Sequence, residues 1–514
     1  MKSQKKVKKE KREVGGGASA SSSGSSTSSS GRGGGVSSSR TRRSQEMIDR
    51  QSYYHGVITR GEGAQRLRER ASRRRGDFLV RVSHTKTGQV VLVICVLVDG
   101  DALDVRHYPL LTLPNPRTLK PQFCLSLEGS RPFDYAVDLI NYYQRNAMPS
   151  GLRLGAAVLP PCYMIGKQEL KRQRLLGEGS FCQVFEGVLL RTGRPPLPVA
   201  VKRCKQASSK EQIGELIEEA RLMAGYKHPH VVRFIGVAAD KFPLQLVLEL
   251  CHGGSLRDRL RSVGKQAALA TRLRYLHEAA RGMAYLAKQG CVHRDLAARN
   301  CLLGGKENET IKIADFGLSG TVQLRGDANE RQRFGMLNDN TRQWWKSWQE
   351  LRMPVAWMAP ETLRPNEPAF GQPSDVFAYA VLVWEVFVGC PNAREPWEDC
   401  DLKRVIARVK QGDRLPLPPT AQTERMDGVA MPPELARLTA QCWTQKARER
   451  PAFSEIVRRL HPIVEAARAA ESDGDTNTDS ATGRDTTPTS SSCSSPVETT
   501  RARRDSLQPK PETQ

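Results

Sequence analysis

The chain has 514 residues, 39% of them hydrophobic, and 79 Lys/Arg against 55 Asp/Glu give a formal net charge of +24. This length and apolar content exclude a wholly disordered protein and allow two or three domains with real cores. The 12 cysteines form no C-x-x-C pair and follow no apolar leader, which excludes a secreted disulfide scaffold and predicts a reduced intracellular setting.

The two ends of the chain differ in composition from its middle. Residues 1–50 hold twelve Lys/Arg against four Asp/Glu and a Ser/Gly-rich run, and residues 468–514 are rich in Ser, Thr and Pro. Neither end can bury enough apolar surface to offset chain entropy, so both are predicted to be disordered tails. The lysine-rich residues 1–13 favour either a solubilising or nuclear-import tail or contact with an anionic partner. No nucleic-acid-binding module is recognised elsewhere.

Residues 51–160 begin with YYHGVITRGEGAQRL, continue with GDFLVRVS, QVVLVICVLVDG and DVRHYPL, and end with the helix-like FDYAVDLINYYQRN. The apolar run at 90–98 is about half the length of a membrane helix, so it predicts a buried strand and no transmembrane segment is expected. In FLVRVS, Val80 and Val82 share one side of a strand and Arg81 faces the other. A buried guanidinium requires an anion, either a ligand or, as an alternative, Asp77 or Asp99.

Next in the chain come two strand-like segments, LLGEGSFCQVFEGVLL and LPVAVKRC, and the helical pattern EQIGELIEEARLM. Gly177 and Gly179 allow a turn to close over phosphates without side chains in the way. Lys202 stands on the second strand, where an ammonium can reach those phosphates. Glu219 flanks the apolar stripe of the helix and is predicted to pair with Lys202. In the alternative, Glu219 is solvated, and Lys202 has either Glu218 as its buried partner or no partner on this helix.

Three further blocks follow in a specific order. HRDLAARN at 293–300 precedes Asp315-Phe316-Gly317, and Ala359-Pro360-Glu361 comes after both. With the earlier segments, this order is highly specific, and residues 169–467 resemble a protein kinase catalytic domain. The resemblance implies ATP and Mg²⁺ as cofactors and a bilobal fold.

The resemblance also implies a role for each matching residue. Asp295 would accept the proton of the attacking hydroxyl, Asn300 and Asp315 would hold Mg²⁺, and Lys202 with Glu219 would position the phosphates. Nucleotide contacts are implied for residues of the Gly-rich strands and of the strands beside them: Leu176, Gly177, Glu178, Gly179, Ser180, Phe181, Cys182, Gln183, Val184, Ala200, Lys202, Glu249 and Cys251. As supports, Arg294 would brace the loop after Asp315, Asp375 would brace the catalytic loop, and Arg450 would pair with Glu361.

The hydroxyl that is phosphorylated is indicated by the catalytic loop. Ser/Thr kinases carry a lysine two residues after the catalytic aspartate, whereas here that place is Ala297 and the cation is Arg299. Because the cation stands at Arg299 and not at Ala297, there is room beside the catalytic aspartate for a phenol, which is longer than an aliphatic alcohol. Pro354, in MPVAWMAPE, stands where tyrosine kinases carry a proline against the substrate ring. The pattern resembles the tyrosine class, with Arg299 among the catalytic residues.

The order of segments in residues 51–160 resembles an SH2 domain, a central antiparallel sheet with two flanking helices, joined to the kinase domain by residues 161–168. The whole is therefore expected to be α+β. The resemblance implies that phosphotyrosine is the anion on Arg81, with Arg60, Ser83 and His107 as pocket walls. For His107 a plain structural role is an equal alternative.

An SH2 domain followed directly by a tyrosine kinase domain resembles the Fes/Fps and Fer group of non-receptor tyrosine kinases. IGKQEL before the Gly-rich loop and LVLELCHGGSL after it are similar to that group. The resemblance implies tyrosine-containing protein substrates, phosphotyrosine-containing partners, and a cytoplasmic location with possible peripheral contact at the plasma membrane. The group's long N-terminal membrane-binding coiled region is not matched by residues 1–50, so its oligomerisation is not carried over.

Two departures from the kinase pattern bear on activity. The third glycine of the Gly-rich loop is Cys182, which predicts a stiffer loop tip and an oxidisable position. The segment from Asp315 to Glu361 is long and contains no tyrosine, so SH2 docking or phosphorylation at Thr341 or Ser347 is predicted to replace the usual tyrosine switch. The alternative function is a catalytically weak pseudokinase adaptor that binds phosphotyrosine partners.

Overall fold

The structure is a computed structural model that describes residues 48–475 with several gaps. The gaps are 71–72, 85–89, 100–101, 127–129, 179–181, 206–209, 242, 306, 308, 322–353, 365–367 and 419–429. Most of both predicted tails therefore lies outside the described residues. The chain divides into two compact units, one made of residues 1–227 and 233–250, the other of residues 228–232 and 251–514.

The first unit opens with a four-stranded sheet. Its strands, in spatial order, are β1 (Tyr54–Val57), β2 (Phe78–His84), β3 (Val90–Asp99) and β4 (Asp104–Pro109). The β2–β3 and β3–β4 pairs are antiparallel, which confirms the expected central antiparallel sheet, and the edge strand β1 runs parallel to β2. A small antiparallel pair, β5 (Leu111–Pro114) and β6 (Pro121–Cys124), follows.

Two helices accompany this sheet, as expected. They are α1 (Arg60–Arg68) and α2 (Ala136–Arg145). Thr59 caps α1 by accepting a hydrogen bond from the Glu62 amide at 3.1 Å, which satisfies one of the unpaired amides of the first turn. The predicted buried strand is confirmed as β3, since its centre from Leu92 to Leu97 is buried.

A five-stranded antiparallel sheet completes the first unit. Its spatial order is β10 (Phe234–Ala238), β11 (Gln245–Glu249), β9 (Leu197–Cys204), β8 (Cys182–Leu189) and β7 (Leu170–Glu178). Helix α3 (Lys210–Ala224) lies between β9 and β10 in the chain. Its predicted apolar stripe is confirmed, since Ile213, Leu216, Ile217 and Ala220 are each at most 7% exposed.

The second unit is mainly helical. Its helices are α4 (Leu256–Val263), α5 (Leu269–Lys288), α6 (Gln372–Trp384), α7 (Leu402–Gln411), α8 (Pro433–Cys442) and α9 (Phe453–Asp475). Four short strands form two antiparallel pairs: β12 (Cys291–Val292) with β15 (Gly320–Thr321), and β13 (Cys301–Gly304) with β14 (Thr310–Ile313).

Helix α6 is the apolar centre of this unit. It continues into a π-helical turn at Glu385–Gly389. Within the described part of the chain, Gln372–Asn392 is the one helical stretch with the length and mean hydropathy, 1.4, that a membrane span would need. Because 89% of it is buried inside the protein, this stretch has the character of a core helix.

Candidate functional site

Lys202 and Glu219 form an ion pair in the first unit. Lys202 Nζ donates to both carboxylate oxygens of Glu219, at 2.8 and 2.9 Å. Glu219 is 3% exposed and Glu218 is exposed, so the prediction of this pair is confirmed and its alternative is wrong. On β9, Lys202 lies opposite Val184 of β8 and Leu246 of β11, so the sheet fixes the position of its backbone.

The described residues that are expected to contact the nucleotide lie on the same sheet as Lys202, except Cys251, which belongs to the second unit. Leu176, Gly177 and Glu178 are exposed at the end of β7. A Cβ on Gly177 would meet no atom within 4 Å, which leaves its backbone open to a ligand. The half-buried members of the set are Cys182, Gln183, Val184, Ala200 and Glu249 on the strands and Cys251 in the second unit. Gly179, Ser180 and Phe181 lie outside the described residues.

Asp295 is the carboxylate of the HRDLAARN loop in the second unit. Asn300 Nδ2 donates to Asp295 Oδ2 at 2.8 Å and to its carbonyl oxygen at 2.7 Å, and the Arg299 guanidinium donates to Oδ1. Burial raises the pKa of Asp295 to about 6, although Arg299 opposes the shift. A carboxylate with this pKa is ionised at neutral pH and remains a useful proton acceptor.

Asp375 on α6 holds the backbone of this loop. Its carboxylate accepts from the His293 amide at 2.7 Å and from the Arg294 amide at 2.9 Å, which confirms the predicted bracing. Arg294 has a φ of +66°, a strained value for a residue with a side chain. The two hydrogen bonds from a carboxylate that is 2% exposed hold the loop in that conformation.

The segment Asp315-Phe316-Gly317 lies beside the loop. Asp315 is exposed and has a φ of +63°, while the Phe316 ring is 1% exposed and its centroid lies 5.1 Å from that of His293. Asp315 also raises the pKa of Asp295, so the two carboxylates interact. The buried phenylalanine therefore anchors the backbone next to the Asp315 carboxylate.

Asn300 and Asp315 fit a magnesium ion. The Asn300 amide nitrogen is used on Asp295, which leaves its amide oxygen as an acceptor, and Asp315 offers a solvent-facing carboxylate. Mg²⁺ prefers oxygen ligands and is usually held by one or two protein groups plus substrate phosphates and water. The donor set thus suits a magnesium nucleotide.

Glu385 was missed by the sequence reading. Its Oε2 accepts from the Ala298 amide and from Trp357 Nε1, both at 2.9 Å, and burial raises its pKa to about 7. The Arg299 guanidinium lies 4.3 Å from the centre of the Trp357 ring system. The signal was a single carboxylate within the apolar run VLVWEVFVG, which needs partners if it is buried.

Arg450 and Glu361 form the second predicted ion pair. The two terminal guanidinium nitrogens of Arg450 donate to the two carboxylate oxygens of Glu361, at 2.7 and 2.9 Å. Both residues are buried, so this prediction is confirmed. The pair joins the segment Pro360–Leu363 to the residues that precede α9.

Arg81 lies on β2 and is 5% exposed. One terminal nitrogen donates to the Ile58 carbonyl at 3.2 Å, while its buried Nε has no hydrogen-bond partner. No carboxylate pairs with it in the described part of the chain, and Asp77 pairs with Arg70 instead, at 3.1 Å. A buried guanidinium nitrogen without a partner calls for an explanation, and a bound anion is one that suits its chemistry.

The other expected pocket residues lie on α1, β2 and β4. His107 Nδ1 lies 3.1 Å from Cys95 Sγ, and burial together with Arg60 and Arg81 lowers the pKa of His107 to about 4. Arg60 is exposed at the start of α1, and Ser83 follows Arg81 on the same face of β2. Cys95 was not predicted, although its register opposite His107 places it in the pocket.

Two predictions stay untested: the phosphorylation sites between Asp315 and Glu361, and the anionic partner of residues 1–13. Thr341 and Ser347, the proposed phosphorylation sites, lie outside the described residues. Residues 1–13, for which an anionic partner was considered, lie outside them as well.

Comparisons with known proteins agree with this geometry. The family described as protein tyrosine and serine/threonine kinase matches residues 170–460, and the SH2 domain family matches residues 53–143. The chain is 32% identical, over 82% of its length and 69% of the relative's, to the tyrosine-protein kinase transforming protein Fps of avian sarcoma virus (strain PRCII).

Two further relatives match a similar share of the chain. Fer-related kinase 1 of Caenorhabditis elegans is 31% identical over 81% of this chain and 94% of its own. Tyrosine-protein kinase Fer of Homo sapiens is 30% identical over 81% of this chain and 44% of its own. The chain therefore belongs to the protein kinase family and is a non-receptor tyrosine kinase of the Fps and Fer type, with an SH2 domain before the kinase domain.

Proposed function

We propose that this ATP-dependent tyrosine kinase uses Asp295 as the acceptor of the phenolic proton while the γ-phosphate is transferred to the tyrosine oxygen. The observation that carries the proposal is the set of contacts on the Asp295 carboxylate. Asn300 and Arg299 fix both of its oxygens, and burial raises its pKa to about 6. The carboxylate is thereby oriented and basic enough for proton transfer.

Lys202 has the task of positioning the nucleotide phosphates. Its ammonium is held by Glu219, so it needs little reorganisation before it meets an anion. Asn300 and Asp315 would hold Mg²⁺, which neutralises phosphate charge when bound. Because phosphoryl transfer depends mainly on positioning and charge neutralisation, these fixed groups account for the catalysis.

The choice of tyrosine rests on Arg299 and the residues around it. Ala297 leaves the second position after Asp295 without a cation. The cation comes from Arg299, which stacks on Trp357 while Glu385 fixes that indole. The arrangement keeps the guanidinium to one side of Asp295 and favours a long phenolic substrate over a short aliphatic alcohol.

The SH2 domain gives the kinase its partners. The unpaired Nε of Arg81, with Arg60, Ser83 and His107, supports phosphotyrosine binding, because a planar guanidinium can hold a phosphate dianion through two parallel hydrogen bonds. We therefore propose recruitment in the cytoplasm to proteins that already carry phosphotyrosine. The basic residues 1–13 would add contact with an anionic surface such as the plasma membrane.

A kinase assay tests the proposal. The purified chain with Mg-ATP should place phosphate on the tyrosines of a Glu/Tyr copolymer and not on a copolymer in which serine replaces tyrosine. Absence of phosphotyrosine would contradict the enzyme proposal and leave the adaptor, whose phosphopeptide binding is measured separately. Binding of the chain to phosphatidylserine vesicles, with and without residues 1–50, tests the surface contact.

A further inference from the structure

Cys182 and Cys204 face each other across two strands of the five-stranded sheet. They form a register pair between β8 and β9, next to the pairs Gln183–Arg203 and Val184–Lys202. Residues directly opposite each other in an antiparallel pair have Cα atoms roughly 4.5–5.5 Å apart. A disulfide spans Cα separations of roughly 4.4–6.8 Å. The backbone therefore already holds the two cysteines at a distance that a disulfide can bridge.

The two side chains are also in contact. Register partners in an antiparallel pair present their side chains on the same face of the sheet, and the interaction of the two thiols raises the pKa of Cys182. Cys182 is half-buried and Cys204 is 1% exposed. An oxidant can therefore reach Cys182 more easily than Cys204, and Cys204 can react afterwards as the second thiol.

We propose that Cys182 and Cys204 are a reversible oxidation site, at which a hydroperoxide converts the two thiols into a cross-strand disulfide. In the first step the Cys182 sulfur attacks the peroxide oxygen, the O–O bond breaks, and a sulfenic acid and water form when the oxidant is hydrogen peroxide. In the second step the Cys204 sulfur displaces that hydroxyl as a second water. The two thiols lose two electrons, the peroxide gains them, and a dithiol reductant reverses the change.

The surroundings of Cys182 set how fast the site responds. Its hydrogen bond to Cys204 and its burial both raise the pKa of its thiol, whereas Lys202 opposes the shift. Because the thiolate is the reactive form, oxidation should be slow at neutral pH and should accelerate as pH rises. The site therefore suits a sustained oxidising condition, in keeping with the regulatory character of most disulfides in reducing compartments.

The effect on catalysis rests on the proposed function, whereas disulfide formation does not. Cys182 begins β8 directly after the Gly-rich turn, and Cys204 lies two residues beyond Lys202. A covalent bond would fix the first residue of β8 to β9, the strand that carries Lys202, and restrict the adjustment of these two strands to the nucleotide. We expect the oxidised chain to show at least a roughly threefold lower kcat/KM for ATP, restored by reduction.

Peptide mapping tests the site on the full chain. After treatment with hydrogen peroxide and alkylation of remaining thiols, trypsin should release fragment 175–191 linked to fragment 204–205, and a dithiol should separate them. The Cys204→Ser variant should lose the linkage, whereas Cys162→Ser, at an exposed cysteine, should keep it. Thermal unfolding checks that both variants remain folded.

The outcomes separate the site from the catalytic proposal. If the peroxide-treated chain yields Cys182 and Cys204 in separate peptides, either as thiols or each oxidised alone, the disulfide site is refuted whether or not the chain is active. If the linked fragment forms in a chain that does not phosphorylate tyrosine, the site stands and the kinase proposal fails. If it forms and kcat/KM for ATP stays unchanged, the effect on catalysis is refuted.

Discussion

Asp295 is subject to opposing influences that set the pH range of the reaction. Burial raises its pKa, whereas Arg299 and Asn300 stabilise the ionised form, and the result is a pKa of about 6. A proton acceptor works only when it is ionised, so activity should increase as pH rises through that value. We expect kcat with saturating peptide and Mg-ATP to fall below pH 6 and to level off above pH 7. A flat profile between pH 5 and 7 would contradict the assignment.

Replacing the same carboxylate isolates its chemistry. Asp295→Asn keeps the size of the side chain but removes the proton acceptor, and we expect kcat to fall by ~10²–10⁴-fold. Phosphopeptide binding should be unaffected. The matched control is Asp399→Asn in the same unit, because the Asp399 side chain is 87% exposed. Equal losses in the two variants would point to a general effect on folding.

In the SH2 domain, Arg81 is the residue on which phosphotyrosine binding is proposed to depend most. Arg81→Ala removes the buried guanidinium whose Nε lacks a partner, and we expect phosphopeptide affinity to fall by ~10²-fold or more, since losing one member of a desolvated charge pair is costly. Arg106→Ala, on neighbouring β4 with a side chain 59% exposed, is the control and should change affinity little. Isothermal titration with a phosphotyrosine peptide and its unphosphorylated form measures both.

At the scale of elements, patterns with a clear period were predictable from sequence. The apolar stripe identified α3, and the continuous apolar run identified β3. The parallel β1–β2 pair was not predictable, because alternation shows which face of a strand is buried and not the direction of its neighbour. Glu385 was missed for a related reason, since its partners Ala298 and Trp357 are 87 and 28 positions away in the chain.

The Arg450–Glu361 pair connects two elements of the second unit, and because both residues are buried, loss of either partner leaves an uncompensated charge. Arg450→Ala would leave the Glu361 carboxylate buried and without its partner, which should lower the free energy of unfolding by about 3–5 kcal/mol. Arg458→Ala removes an exposed partner of Glu455 and should cost less than about 1 kcal/mol. Denaturant unfolding followed by tryptophan fluorescence measures both. Similar costs would show that the buried pair has no special role.

For the whole molecule, the sequence predicted two chemistries, phosphoryl transfer and phosphotyrosine binding, and assigned each to its own group of residues. Motif order identified the kinase because its groups occupy fixed positions along the chain, and Arg81 identified the SH2 domain because a charge interrupts an apolar strand. The switch predicted to replace an activation-segment tyrosine, by SH2 docking or by phosphorylation at Thr341 or Ser347, stays a prediction, because residues 322–353 lie outside the described part of the chain. Binding and transfer should therefore be separable by mutation.

The two activities on one chain predict a preference for substrates that already carry phosphotyrosine. Once the SH2 domain holds one phosphotyrosine, a second tyrosine on the same protein is presented at a high effective concentration. We expect kcat/KM for a peptide with one phosphotyrosine and one distant tyrosine to exceed that for its unphosphorylated form by ~10-fold or more. Arg81→Ala should abolish this difference while leaving turnover of the unphosphorylated peptide unchanged. A difference that persists in Arg81→Ala would place the preference in the kinase domain, because the variant lacks the buried guanidinium on which phosphate binding by the SH2 domain is proposed to depend most.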